Sequence, residues 1–180
     1  MLDPADYYWT EDLGPAACVT LVAGSTVEEV LERFGADASI ILEGEDAYGG
    51  GSKYPASVAA VDVPGGVVAV EDNGYEGSRP EVLARLSAGG SAASMFWNVN
   101  DDNAFSCARD GRLVATVDMY DAEDPDGVDL PDELTELFAR AGDDETDMWA
   151  VGLAMAAEFT GVRVSRESMR NLAVHPVRHR

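Results

Sequence analysis

The stretch "AEDPDGVDLPDE", residues 122–133, comes close to a calcium-binding loop. Such a loop takes carboxylates at positions 1, 3 and 5, glycine at 6 and glutamate at 12. Asp124, Asp126, Gly127 and Glu133 stand at positions 3, 5, 6 and 12, but position 1 is Ala122. The ligand that begins the coordination is missing and Pro125 stiffens position 4. Upstream, "LVATVDMY" reads as a strand and not as the incoming helix. The expectation is a solvated acidic loop with no metal assigned, in which Asp124 and Asp126 are exposed anionic contacts. Asp101 and Asp102 in "FWNVNDDN" offer a second carboxylate pair. Neighbours on a strand point to opposite faces, whereas acid–base chemistry needs both groups on one substrate. They are read as turn residues, with an exposed binding tip as the alternative.

Nucleophilic catalysis needs a base beside the nucleophile. The histidines, His175 and His179, fall in the last six residues, read as a mobile tail, and no GxSxG elbow occurs. Cys18 and Cys107 stand alone, which argues against zinc and for reduced, packed thiols in a cytoplasmic protein. The glycine run "GGG" at 49–51 lacks the GK[ST] ending of a phosphate-binding loop and reads as a stretch of linker. No catalytic residue, metal or cofactor is assigned. Carboxylate-only chemistry stays open, because thirty-four acidic residues always offer some pair.

The formal net charge is −22 and Lys53 is the single lysine. Such a field repels phosphates and anionic lipid, so no direct nucleic-acid binding and no membrane association are expected. It attracts basic proteins and divalent ions, and it also suits imitation of nucleic acid. Salt adaptation or a GC-rich genome explains the same acidity without a function. The sign reverses at the end: residues 163–180 carry five arginines against one glutamate. Arg163, Arg166 and Arg170 share a face if that segment is helical. Such a face suits pairing with the chain's own acids, an acidic partner, or self-association with a second copy.

These groups need a scaffold, and an apolar fraction of 46% supplies a core for one domain. "CVTLVAG" reads as a strand leading into the helix "STVEEVLERFG", with Ser25 and Glu28 at capping-box spacing. "IILEG", "SVAAVDV", "GVVAVED", "SAASMFWNV", "NAFSCAR" and "RLVATVDMY" read as further strands. "SRPEVLARLSAGG" reads as a helix capped by Ser78, so the order helix–strand–strand–strand occurs twice. "LPDELTELFARAG", an apolar helix near 144–159 and a short helix "RESMRNL" close the chain. No basic segment leads into an apolar run at the N-terminus, and the apolar helix is too short to span a bilayer. The predicted architecture is α+β, a curved, mainly antiparallel sheet with helices on one face. Within one domain, 1–180, the expected division is a sheet-forming region at 1–120, an acidic loop at 121–130, C-terminal helices at 131–172 and a basic tail at 173–180.

"YYW", "ACVTLVAGSTVEEVLERFGAD", the run from "VVAVEDNGYEGSRPEVLARLSAGG" through "SAASMFWNVNDDNAFSCARDGRLVATVD", and "LAMAAEFTGVRVSRE" together resemble an uncharacterised family of small bacterial domains, common in actinomycete-type genomes. The resemblance implies domain membership and no activity. Its "E-x-NGY-x-GS" loop maps to Glu71, Asn73, Gly74, Tyr75, Gly77 and Ser78, here read as strand end, turn and helix cap. The functional expectation is an acidic, non-enzymatic protein-interaction domain, an immunity- or antitoxin-like inhibitor of a basic partner. Its contacts are placed at Tyr75, Trp97, Asp101, Asp102, Asp124 and Asp126. The alternative is a small-molecule or divalent-ion binding module in a concave sheet near Tyr75 and Trp97.

Overall fold

The computed structural model describes residues 2–43, 47, 56–143, 146–170 and 172–178. The glycine run at 49–51, Lys53 and His179 lie outside the described residues. Along the chain come β1 (Ala17–Ala23), α1 (Val27–Phe34), β2 (Ser57–Val63), β3 (Gly66–Asp72), α2 (Pro80–Leu86), β4 (Ser91–Trp97), β5 (Asn103–Arg109) and β6 (Arg112–Asp118). They are followed by α3 (Asp132–Ala139), α4 (Met148–Thr160) and β7 (Val174–Pro176).

The strands form one seven-stranded sheet in the order β6-β5-β4-β1-β3-β2-β7. Every pairing in it is antiparallel, so the α+β class is as expected. The helices, however, cover both faces rather than one. The reason is the composition of the strands: β1 is buried at every position from Ala17 to Val22, so both of its faces need cover. Val19, Leu21, Met95, Trp97, Phe105 and Val117 pack under α3, α4 and the 3-10 segment Pro4–Leu13. Val22, Val67, Ala69, Ala92 and Ala108 pack on the opposite face under α1 and α2.

α4 is apolar around most of its circumference, and Ala150 to Ala157 are all buried. That is the signature of a helix enclosed on all sides. A Cβ on Gly152 would collide with the Met95 side chain, so glycine is what lets α4 lie close on β4. α1 is fixed by a capping box made by Thr26 and Glu29, one residue later than the Ser25/Glu28 spacing suggested. Ser78 does not cap α2: it ends a 3-10 turn, and Pro80 opens the helix.

Two further elements differ from expectation. Among residues 40–43 the "IILEG" strand reduces to a bridge from Leu42 to Val174, so α1 is followed by two full strands where α2 is followed by three. The tail is an edge strand, with His175 opposite Val58 in β2 and buried. Its Nδ1 lies 2.9 Å from the Ile40 carbonyl oxygen. "RESM" is a single 3-10 turn, so the shared helical face of Arg163, Arg166 and Arg170 does not form. Arg163 instead donates to the carbonyls of Ala157 and Val162, and Arg166 reaches Asp12 at 2.7 Å. Among the described residues no helix is long and apolar enough to cross a membrane.

Candidate functional site

The predicted contact residues do not converge. Trp97 is fully buried; its indole N–H donates to the Gly14 carbonyl, and its ring stacks on Trp149 with centroids 5.0 Å apart. It cannot touch a partner. Tyr75 is exposed, but its loop lies over the sheet face that carries Cys18 and Thr20, opposite to the face of Trp97. The concave site shared by Tyr75 and Trp97 is therefore absent. Phe96, half-buried, occupies the face that Trp97 leaves, as strand alternation requires.

Asp124 and Asp126 are exposed on the loop between the 3-10 turn Met119–Glu123 and α3. Ala122, at the first position of the calcium pattern, is buried, and Glu133 sits in the first turn of α3, 3.7 Å from Arg109. Among the described residues no three Asp, Glu, His or Cys side chains gather as a metal-holding group.

Asp101 and Asp102 belong to the β4–β5 turn, organised by Asn98. Its Oδ1 accepts the backbone N–H groups of Asn100 and Asp102, and its Nδ2 donates to Asp102 Oδ2 at 2.8 Å. Asp101 takes φ = 64°, a left-handed conformation that aspartate tolerates better than most residues. The turn holds Asp101 at the rim of a cleft of about 310 Å³. Glu11 and Asp147 supply two more carboxylates, and Tyr120, Met148 and Trp149 supply apolar walls.

Each wall is fixed by the fold. Asp147 caps α4 through the Trp149 N–H, and its second oxygen accepts from Thr10 Oγ1. Trp149 is held by its stack on Trp97 and by donation to Asn103 Oδ1 at 2.8 Å. Tyr120 is 44% exposed on the turn that follows β6. The cleft thus gathers three carboxylates and two aromatic residues, side chains of the types that attract a cation. The sequence singled out only Asp101 of this set. Glu11, Tyr120, Asp147 and Trp149 come from three other chain segments and carry no shared spacing to reveal them.

The second organised site is the loop Asn73–Ser78. Glu71, next to last in β3, is almost wholly buried, and its two oxygens accept the backbone N–H groups of Glu76 and Gly77, each at 2.8 Å. Burial pushes its carboxyl from 4.5 up to about 7, against the pull of those two N–H donors. Burial likewise raises the neighbouring Cys18 thiol well above its usual range, with the Glu71 charge adding to the effect. A Cβ on Gly77 would strike Thr20 Oγ1, which accounts for the glycine in "NGYEGS". Glu71 was legible as a charge closing the otherwise apolar run of β3. Cys18 and Cys107 are buried, unpaired, and on opposite faces of the sheet.

Fold and sites define a two-sided antiparallel sheet protein with an acidic cleft at Asp101 and a buried carboxyl at Glu71. Residues 2–174 match the model described as "Family of unknown function (DUF6461)", and the chain belongs to that family. No curated protein and no solved structure matches it.

Proposed function

We propose that the chain is a non-enzymatic interaction protein that binds a basic protein partner through the acidic, aromatic-walled cleft at Asp101. The reading extends to immunity- or antitoxin-like inhibition, in which the acidic surface covers a cationic active surface. The observation that carries it is the cleft itself: Glu11, Asp101 and Asp147 surround Tyr120 and Trp149 in a volume suited to one lysine or arginine side chain. Asp102, in the same turn as Asp101, would extend the attractive rim. A net charge of −22 speeds encounter with such a partner and makes it sensitive to salt. Two unpaired cysteines support a reducing, cytoplasmic setting.

The test is capture from native lysate at low and high salt, using the wild type beside Glu11→Gln/Asp101→Asn. Both replacements keep shape, and asparagine accepts the left-handed backbone at 101. A basic protein retained at low salt, released at high salt and lost in the variant supports the proposal. Recovery of no basic protein at either salt, or equal recovery by the variant, sinks it.

A further inference from the structure

The opposite face of the molecule carries a cleft lined by arginines. It measures about 460 Å³ and lies between α1, α2 and the end of the C-terminal strand. Arg33, Arg79, Arg85 and Arg178 line it together with Glu32, Glu76 and Glu81, a concentration of arginine in a protein with a net charge of −22. Two of the arginines are already matched. Arg79 pairs with Glu76 and Glu81, and Arg178 pairs with Asp37. Arg33 and Arg85 make no direct ion pair among the described residues, although the Arg85 charge helps hold the Glu81 carboxyl below its ordinary value.

Those two guanidinium groups have a structural task that does not need all their donors. Arg33 Nη1 donates to Ser25 Oγ and to the Leu86 carbonyl at the end of α2. Arg85 Nε donates to the Arg33 carbonyl at the end of α1. Each arginine thus ties down the C-terminus of the other's helix, and the remaining guanidinium nitrogens bond to no described residue. The ties also hold both groups in place, so a ligand would meet preorganised donors. Phe34, Val82 and Val177 lie beneath the cleft, almost wholly buried in the core. Glu71 fixes one wall by holding the backbone at Glu76, which in turn pairs with Arg79.

We infer that this cleft binds a small organic acid through a single carboxylate, held by Arg33 and Arg85. A guanidinium fork matches two carboxylate oxygens. Charge decides against larger anions: Glu32, Glu76, Glu81 and Asp37 balance the four arginines, so no surplus is left to hold a dianion, and the acidic remainder of the molecule repels a phosphate dianion or a nucleic acid. The carboxylate can come from a free acid or from a peptide C-terminus, and both place the same group on the same donors.

Calorimetric titration with 3-phenylpropionate, its uncharged amide, phenyl phosphate, and a Gly-Gly-Phe peptide with a free or amidated C-terminus tests the assignment. Binding of 3-phenylpropionate or of the free-ended peptide at about 1 mM or tighter supports it, and the preferred one of the two identifies the source. The amides should bind at least about tenfold more weakly, the effect of removing a charge-assisted contact. Arg85→Gln, at an exposed position, should weaken the carboxylate about tenfold, whereas Glu32→Gln should tighten it by removing a like charge. No carboxylate binding at about 10 mM overturns the proposal, as does tighter binding of phenyl phosphate. Indifference of the affinity to both Arg85→Gln and Glu32→Gln overturns it as well.

Discussion

Replacing Glu71 by glutamine removes a buried charge while keeping the side chain's shape, and the consequence depends on pH. The folded chain holds this carboxyl at about 7 instead of 4.5, so between those values the native state binds a proton that the unfolded chain has released. The group's contribution to stability is therefore full at low pH and is lost as pH rises through about 7. From pH 5 to pH 8 the loss comes to roughly 2–3 kcal/mol, or about 5–10 °C in melting temperature for a domain of this size. Glu71→Gln has no such proton to lose. It carries a fixed penalty of about 1–3 kcal/mol instead, because its NH2 meets the N–H of either Glu76 or Gly77. Urea unfolding of both proteins at pH 5 and pH 8 isolates the effect, since self-repulsion among the other acids is common to both. The wild-type advantage at pH 5 should shrink or reverse at pH 8 by roughly 2–3 kcal/mol. A difference that stays constant across that range would refute the assignment of the titration to Glu71.

Gly152→Ala should cost about 1–3 kcal/mol in urea unfolding, because the new methyl meets Met95 across the α4–β4 contact. Asp147→Ala should cost about 1 kcal/mol through loss of the α4 cap, and should also lower the affinity of the acidic cleft for cations. Arg166→Ala should change stability by less than about 1 kcal/mol, since its pair with Asp12 is exposed on both sides. Calcium calorimetry on the wild type and on Asp124→Asn/Asp126→Asn should show no site tighter than about 1 mM in either. A sub-millimolar site abolished by the pair would restore the calcium-loop reading.

Local periodicity carried most of the secondary structure. The short, mostly apolar runs "GVVAVED" and "NAFSCAR" mark β3 and β5, and "VEEVLERF" between its cap and Gly35 marks α1. Neighbours in space decided the rest. "IILEG" has the composition of a strand but finds only the short β7 beside it, and "VHP" becomes a strand because β2 offers a free edge. Alternation shows that two faces exist and not what covers them, so helices were expected on one face although β1 is apolar on both. The acidic cleft was legible only through Asp101, because Glu11 and Asp147 meet it across the sheet end. The arginine cleft left a fainter trace. Arg33 and Arg85, each in the last turn of its helix, look in isolation like ordinary partners of the helix dipole.

The most direct test of the account is titration of the purified chain with a short, amidated arginine peptide, followed by calorimetry at low and high salt. The cleft at Glu11, Asp101 and Asp147 predicts salt-sensitive binding near about 1 mM, weakened about tenfold in Glu11→Gln/Asp101→Asn and matched by no neutral peptide of the same length. Equal binding by the wild type and the variant, or no binding by the wild type at about 10 mM peptide, would contradict it.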